Sequence, residues 1–477
     1  MKLKQLFAPT DMTQGTPWKS ILMFTLPMLI GNIAQQLYST VDSIVVGKYI
    51  GDGALASVGS TLPILNMLLV LFMGISAGAS IMVSQYFGAK DREKLSRTIG
   101  TCILVTAISC IFMMVVATPF IRPVLEVLNT PGDIIDGCQD YLFISLMGIA
   151  GMGYYNILSG IIRGLGDSVS TLIYLLVATV INIVLDIYFV AGLNMGIGGV
   201  ALATIIAQAV SSVLCFLKLA KIAKKAQYFD FGLKYILPRG QRVKTNKGHR
   251  YENPAFKYIK TIVKLGIPSG LTQMIFSSAM IVVQSLTNQF GTQFIAANVV
   301  VMRVDGFAMM PNFSFGMALT TYAGQNVGAG LYDRVTKGAK QGTLMAVICS
   351  AAVTGVLLLF GKNLMGLFTE TKELVEYSRS LMNILAAGYI AMAITQSLSG
   401  IMRGAGDTMT PMWVSLITTV AIRVPLAYGI SYLTRTPELP HGIPQCIQIS
   451  LLSTWVIGAI ITVIFYARGK WKTKAIK

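Results

Sequence analysis

The sequence predicts an all-α polytopic membrane protein whose twelve transmembrane helices form two parallel six-helix repeats. Three observations lead to this fold class: the composition, an internal repeat and the distribution of basic residues. Of the 477 residues, 54% are hydrophobic and only 12% are charged, whereas a soluble protein usually has about 25% charged residues. Segments 53–89 and 98–121 contain no charge at all. Each reaches the roughly 20 apolar residues that a membrane-spanning helix needs.

The second observation is a block of sequence that occurs twice. Residues 158–167 read Leu-Ser-Gly-Ile-Ile-Arg-Gly-Leu-Gly-Asp, and eight of these ten residues recur 240 positions later in 398–407. A second pair of similar segments, 84–90 and 324–330, has the same offset. A chain that repeats itself in this way has two matching halves. Because six spans per half is an even number, both halves have the same orientation, related by a pseudo-two-fold axis along the membrane normal.

The individual spans are read from the apolar runs between charged or turn-forming segments. The twelve runs lie at about 19–47, 54–85, 96–119, 138–162, 169–191, 198–218, 262–288, 294–325, 339–361, 377–402, 410–433 and 445–467. Pro27 and Pro268 fall in the first and seventh runs, and helices in lipid tolerate such prolines. We therefore expect an N-lobe at 1–217, a cytoplasmic basic linker at 218–260 and a C-lobe at 261–477.

The third observation is the uneven distribution of lysine and arginine. With a cytoplasmic N-terminus, the inside segments hold thirty of the thirty-eight basic residues and the outside segments hold six. This asymmetry predicts cytoplasmic N- and C-termini in the plasma membrane of a bacterial-type cell. The formal net charge of +18 therefore reflects membrane orientation, and no nucleic-acid partner is expected. Thirteen basic residues lie between Lys218 and Lys264, and this linker is expected to be a solvated loop.

Several chemistries lack their sequence signatures. The six cysteines are scattered without a Cys-x-x-Cys spacing, and the two histidines lie in predicted loops. No Gly-x-x-x-x-Gly-Lys-Ser/Thr segment occurs, so ATP hydrolysis on this chain is not expected. A membrane-embedded enzyme would need paired acids with histidine or a similar constellation. We expect no enzyme activity and no cofactor other than a coupling ion.

The doubled block predicts two matching turns on the cytoplasmic side, one in each half. Its glycines allow positive φ angles and close approach, its aspartates can cap the following helices, and its arginines suit helix C-termini. A direct role in substrate contact is the alternative. The residues assigned to these turns are Arg163, Gly164, Gly166, Asp167, Arg403, Gly404, Gly406 and Asp407.

Three acids fall inside predicted spans: Asp42, Asp186 and Asp305. An ionisable residue within a membrane indicates function by default. Asn182 lies one turn before Asp186, Tyr38 lies one turn before Asp42, and helix rise places Thr204 at a similar depth. Carboxylates, an amide and hydroxyls are suitable ligands for a proton or Na⁺. The alternative is a polar cluster that only holds spans one and five together.

The C-lobe acid Asp305 leaves structural and functional interpretations equally open. Arg303, two residues away, could partly neutralise it. In the same span Met302 belongs to a methionine group that could line an adaptable pocket for apolar cations. Methionine is also ordinary packing material between helices.

Taken together, these segments resemble the multidrug and toxic compound extrusion (MATE) family over nearly the whole chain. The resemblance rests on the doubled block and on the doubled Gln-x-x-Gly-Ala at 85–89 and 325–329. It also rests on the stretch from Leu26 to Asp42 and on 423–428, Arg-Val-Pro-Leu-Ala-Tyr. The resemblance implies an antiporter that exports organic cations and other amphipathic compounds in exchange for H⁺ or Na⁺, by rocking two lobes. Its partners would be the substrate and membrane lipid, and a monomer is expected.

The likeness is greatest to the DinF-like branch of that family, where an N-lobe site uses an Asp in span one, an Asn and an Asp in span five, and a Thr in span six. This implies a coupling site for H⁺ or Na⁺ at Asp42, Asn182, Asp186 and Thr204. The residues implied or expected to line the substrate path are Gln35, Tyr38, Tyr141, Asn156, Met302 and Asp305.

One departure from the NorM-type pattern concerns the C-lobe. Spans 262–288 and 377–402 contain no acid, so a C-lobe Na⁺ site of the NorM kind is not expected. The alternative function is a flippase for lipid-linked oligosaccharides or lipids from the same superfamily. Such proteins often line their path with cationic residues, and only Arg303 and Arg423 fall within spans here, which disfavours that alternative.

Overall fold

A computed structural model describes residues 9–49, 52–128, 130–132, 134–226, 228–236, 241–245, 248–252 and 254–476. Within helix α1 and at the start of α2, the side chains of 38–56 are outside the described set. The first half of the chain forms α1 (Pro17–Tyr49), α2 (Asp52–Gly88), α3 (Arg92–Ala117), α4 (Ile121–Val127), α5 (Ile135–Met147), α6 (Ile149–Gly164), α7 (Ser168–Ile187) and α8 (Gly196–Ala226). A π-helical segment, Tyr188–Gly192, follows α7.

The predicted charged linker contains regular structure. It has a short helix, α9 (Leu233–Ile236), and an antiparallel hairpin of strands β1 (Gln241–Thr245) and β2 (Gly248–Glu252). The linker is therefore not a plain loop, while its exposure to solvent stays a prediction. The count of charged residues did not predict the hairpin, because strands pair through their backbone groups, which charged residues also have.

The second half of the chain repeats the helix order of the first. It forms α10 (Pro254–Thr287), α11 (Thr292–Gly328), α12 (Tyr332–Gly366), α13 (Lys372–Ala386), α14 (Gly388–Gly404), α15 (Met409–Leu416), α16 (Val424–Leu433) and α17 (Cys446–Ala467). A π-helical segment, Ile417–Arg423, joins α15 to α16.

Ten helices of the described residues are long and apolar enough to cross a membrane. Two bent pairs, α5 with α6 and α13 with α14, raise this number to as many as twelve if each pair is one span. The predicted spans 138–162 and 377–402 are therefore each broken, by bends of 52° and 46°. The hydrophobic pattern did not predict these bends because it continues through them.

A glycine lies at each of the two bends, and the two are related by the repeat. A Cβ atom on Gly148 would meet the side chain of Ile205, and a Cβ atom on Gly388 would meet the ring of Trp455. Each bend therefore lies where a bulky side chain from another helix presses against the backbone.

Some helices extend further than their apolar runs. Helix α3 begins in charged sequence at Arg92, and the side chain of Asp91 accepts a hydrogen bond from the Lys94 backbone N–H at 3.0 Å. This N-cap satisfies a backbone donor in the first turn. The predicted start at 96 was late because charged residues were counted as loop.

The helices belong to two compact units. Unit 1 contains Ile30–Gly270 and the residues before Met12, and unit 2 contains Met12–Leu29 and Leu271–Lys477. The N-terminal parts of α1 and α10 are thus assigned to the unit formed mainly by the other half of the chain. The lobes expected at 1–217 and 261–477 stay a prediction.

Close helix packing at small residues occurs in both units. In unit 1, α6 packs on α2, and a Cβ atom on Gly164 would lie 2.8 Å from the backbone oxygen of Ser80. In unit 2, α14 packs on α11, and a Cβ atom on Gly404 would meet the backbone oxygen of Thr320. Such small residues let membrane helices approach closely.

Candidate functional site

Helix α7 places two predicted site residues on one face. Asn182 and Asp186 are one turn apart, and both are 0% exposed. The helix begins at an N-cap formed by Asp167, whose carboxylate accepts a hydrogen bond from the Ser170 backbone N–H at 2.9 Å. It passes into the π-helical segment 188–192 directly after Ile187. Such segments are frequent at functional sites.

The amide of Asn182 connects Asp186 to helix α8. In the orientation that gives both amide atoms partners, Nδ2 donates to Asp186 Oδ2 at 2.9 Å, and Oδ1 accepts from the Thr204 backbone N–H at 3.2 Å. In the other orientation, Nδ2 donates to the Thr204 hydroxyl at 3.3 Å. Either way, the structure brings together three of the four predicted coupling-site residues.

The fourth coupling-site residue, Asp42, and its neighbour Tyr38 lie outside the described side chains. Their backbone belongs to α1. A contact between Asp42 and Asp186 therefore stays a prediction.

The remaining predicted residues of unit 1 have different surroundings. Gln35 is exposed, and Tyr141 is buried on α5 at 5% exposure. The Asn156 side chain donates to the backbone oxygen of Met152 in its own helix at 2.9 Å, and the Asn156 backbone oxygen accepts from the Ser76 hydroxyl. Asn156 thus has a clear role in the packing of α6 on α2. Its lining role stays a prediction.

In unit 2, the partner of Asp305 is a tyrosine. The Tyr389 hydroxyl donates to Asp305 Oδ1 at 2.8 Å, and the Arg423 guanidinium is near enough to interact electrostatically with this carboxylate. Arg303 is exposed, and among the described residues it forms no ion pair with Asp305. The suggestion that these two neutralise each other is wrong, because residues two apart on a helix point in different directions.

Met302, the other predicted residue of this helix, is 38% exposed. Its sulfur lies 3.8 Å from the Asn298 amide nitrogen on the preceding turn. Met302 therefore contacts a polar group of its own helix. The structure leaves its predicted contact with substrate open.

Metal-ligating side chains are sparse in the described part of the chain. No group of three or more histidine, cysteine, aspartate or glutamate residues occurs there. Around Asp186, the available ligands are the carboxylate, the Asn182 amide oxygen and the Thr204 hydroxyl. These hard oxygens suit Na⁺ in kind, and the carboxylate alone suits a proton.

Comparison with known proteins places the chain in a family. The family model described as MatE matches residues 27–188 and 268–429, which is more than half of the chain. The chain belongs to the MATE family. It is similar to the probable multidrug resistance protein YoeA of Bacillus subtilis, with 28% identity over 441 residues, 91% of this chain and 92% of that protein. It is 24% identical to the probable multidrug resistance protein NorM of Thermotoga maritima over 471 residues, covering 96% of this chain and 94% of that protein.

The fold matches solved MATE structures. A crystal structure of MATE in complex with MaL6 aligns with a TM-score of 0.86 and 22% identity, covering 97% of this chain and 98% of that one. Those structures have twelve helices in two repeats, so the predicted fold class is confirmed. MATE proteins are multi-pass membrane transporters. The inside location of the termini and the DinF-like branch stay predictions.

In this MATE protein the doubled block forms two similar turns. Gly166 and Gly406 have φ angles of +87° and +96°, which favour glycine. Asp407 accepts hydrogen bonds from the Thr410 backbone N–H at 3.2 Å and from the Thr410 hydroxyl at 2.7 Å. Asp167 accepts the equivalent pair from Ser170. The capping predicted from sequence is therefore present in both halves.

The sequence did not predict the partners of two aspartates, Asp167 and Asp305. Lys218 lies 2.9 Å from Asp167 Oδ2, and their side chains are 10% and 0% exposed. A lysine at the end of an apolar run was the available signal, but it was assigned to the linker. Tyr389 lies 84 residues from Asp305, and nothing in the sequence pattern joins them.

Proposed function

We propose that this MATE protein exports amphipathic organic cations by antiport with H⁺ or Na⁺, with Asp186 as the main coupling residue. The observation that carries the proposal is the fully buried Asn182–Asp186 pair against Thr204. The relatives named as multidrug resistance proteins support the choice of substrate class.

The coupling follows from the energetics of a buried carboxylate. An ionised carboxylate within a membrane is unfavourable unless it is paired or protonated. Uptake of a proton or Na⁺ at Asp186 would remove that penalty, and a bound cationic substrate would do the same. Two ligands that neutralise one carboxylate compete for it, which is the requirement for exchange.

Asn182 and Thr204 are positioning residues in this proposal. The Asn182 amide can present either a donor or an acceptor to Asp186, and its other end remains anchored to α8 through Thr204. The proposal includes Asp42 as a second acid facing the same site. Alternating access of the two repeats would then expose the site to each side in turn.

The test is export of a fluorescent organic cation from proteoliposomes, with a pH gradient and a Na⁺ gradient imposed separately. We expect one gradient to drive export by the wild-type protein. Asp186→Asn should lower gradient-driven export about tenfold or more, the usual range of a coupling free energy. This variant keeps the shape of the side chain but cannot change its charge.

Asp305→Asn is the matched control, because Asp305 is the acid of a span in unit 2. It should keep its dependence on the same gradient, even where its predicted place on the substrate path lowers the rate of export. If Asp186→Asn exports like the wild type while Asp305→Asn does not, the coupling residue has been assigned to the wrong unit. If neither gradient drives export of any organic cation but a fluorescent lipid is translocated, the flippase alternative replaces this proposal.

A further inference from the structure

Unit 2 contains a mainly apolar cavity with a few polar side chains in its wall, and the proposed coupling site does not use it. Its volume is about 50 Å³, and it is lined by residues of α10, α14, α15, α17 and the π-helical segment 417–423. By this measure a water molecule needs about 10–15 Å³. The cavity thus has room for more than one group of the size of a water molecule.

The cavity wall carries positive charge. Arg403 is the only charged residue among those that line it. In the described part of the chain, no carboxylate forms an ion pair with Arg403; Asp407, which follows in the same turn, caps Thr410 instead. A positive wall without a facing acid attracts an anion and disfavours a cation.

The hydroxyl groups of the wall fall into two classes. Thr418 donates to the Val414 backbone oxygen at 2.8 Å, and Thr454 donates to the Ser450 backbone oxygen at 2.7 Å. Thr419, the next residue after Thr418, is 1% exposed, and its hydroxyl has no hydrogen-bond partner among the described residues. A buried hydroxyl without a partner is unfavourable. Its position on the cavity wall lets this hydroxyl donate a hydrogen bond to a group inside the cavity.

The equivalent arginine of unit 1 is arranged differently. Arg163 donates to the Ser159 hydroxyl, one turn earlier, at 3.2 Å. In unit 2 the residues at the same positions of the repeat, Ser399 and Arg403, both line the cavity, and no such hydrogen bond joins them in the described structure. The two copies of one motif have therefore diverged: Arg403 lines the cavity and, in the described part of the chain, makes no hydrogen bond to the serine one turn earlier, whereas Arg163 does.

We propose that this cavity is a binding site for a carboxylate anion, held by the Arg403 guanidinium and the Thr419 hydroxyl. Gln396 and Ser399 supply further hydrogen-bond donors on the wall. Phe276 and Trp455 provide an apolar side for the carbon substituent of the acid. Guanidinium groups match carboxylates in geometry as well as charge. The site is separate from Asp186, and its occupancy does not depend on the export proposed above.

The test measures binding to the full-length protein in lipid nanodiscs with no gradient, so it is independent of transport. The midpoint of thermal unfolding is followed during titration with sodium acetate, with sodium chloride and acetamide as references. We expect acetate to raise the midpoint in a saturable manner, because a ligand that binds the folded state stabilises it. Sodium chloride controls for Na⁺, and acetamide controls for shape without charge.

Substitutions then locate the site. Arg403→Gln should weaken acetate binding about tenfold or more, the size expected for a hydrogen bond to a charged group. Thr419→Val should weaken it about three- to tenfold, and the neighbouring Thr418→Val should change it less than about twofold, because the Thr418 hydroxyl is already used. Arg163→Gln controls for loss of a motif arginine elsewhere and should leave acetate binding unchanged.

Two outcomes would overturn the proposal. One is an effect of acetate no greater than that of sodium chloride or acetamide. The other is acetate binding that survives unchanged in both Arg403→Gln and Thr419→Val. Because Thr419→Val preserves side-chain shape, it remains informative if Arg403→Gln fails to fold.

The carboxylate could belong to a free acid or to an amphipathic solute. An amphipathic amine with a carboxylate is therefore compared with its methyl ester in the same titration. Binding of acetate without preference between these two assigns the site to small free acids. Tighter binding of the free acid than of its ester, lost in Arg403→Gln, assigns it to an acidic group of larger solutes.

Discussion

The charged residues of the repeated block have different partners in its two copies, although the block itself is nearly identical. Asp167 pairs with Lys218 in a setting that excludes most water, whereas Asp407 is bonded by Thr410. Arg163 bonds to Ser159, whereas Arg403 lines a cavity. The repeat therefore keeps the caps and the close helix contacts while the partners of its charges have changed.

Lys218→Met should destabilise the protein, because it leaves the carboxylate of Asp167 buried without its counter-charge. Removing one partner of a buried ion pair is expected to lower the free energy of unfolding by about 3–5 kcal/mol. The measurement is the unfolding midpoint of the purified protein. Lys221→Met is the control on the same helix, since Lys221 is exposed, and it should change stability by less than about 0.5 kcal/mol. Equal midpoints for the two variants would show that the pair contributes little.

At the level of helices, the two halves of the chain bend at corresponding places, which the hydrophobic pattern did not predict. The spans made by α5 with α6 and by α13 with α14 bend at corresponding places, with Gly148 and Gly388 at the breaks. The π-helical segments 188–192 and 417–423 lie beside Asp186 and at Arg423. The first π-helical segment thus follows Asp186 closely, and the second contains Thr419, so each lies at a residue that one of the two proposals uses.

Gly404→Ala tests whether the close contact of α14 with α11 is essential. A Cβ atom there would meet the backbone oxygen of Thr320, which cannot move aside as a side chain can. We expect a loss of about 1–3 kcal/mol in the free energy of unfolding.

Gly306→Ala on α11 is the matched control for that change. No atom lies within 4 Å of a Cβ atom built there, so alanine should stabilise the helix by about 0.5–1 kcal/mol. The measurement is the midpoint of thermal unfolding of each variant, compared with that of the wild type. If the Gly404→Ala protein is as stable as Gly306→Ala, then α14 and α11 can move apart with little loss of free energy of unfolding.

At the scale of the whole molecule, the chain does not divide at its midpoint. Met12–Leu29 belongs to unit 2 although it comes first in sequence. Within that unit, the Met12 backbone N–H donates to Gln325 Oε1 at 2.8 Å, and Arg334 donates to the backbone oxygens of Met12, Gln14 and Gly15. One arginine thus holds several carbonyl groups of the N-terminal segment.

Arg334→Ala should loosen this segment without unfolding the rest of unit 2. Amide hydrogen exchange in residues 12–18 should increase about tenfold or more, since several hydrogen bonds from one charged group are lost together. The exposed Lys337→Ala, one turn further along α12, should leave exchange unchanged. Slow exchange in both variants would indicate that apolar contacts of Ile21 and Phe24 are sufficient to hold the segment.

The membrane class, the approximate positions of the spans, the duplication and the caps at Asp167 and Asp407 could all be predicted from the amino-acid sequence. These depend on composition and local spacing, which are visible along the chain. The three-dimensional packing was needed to show that Asn182 contacts Thr204, that Tyr389 donates to Asp305 and that Lys218 pairs with Asp167. It was also needed to show that Arg403 and Thr419 line one cavity. It also decided which unit holds Met12–Leu29. The physical reason is that hydrophobic periodicity specifies a helix and its apolar character, but in lipid nearly every face is apolar. The rotation of each helix, and hence the partners of its few polar residues, is then set by close packing between helices that are distant in sequence.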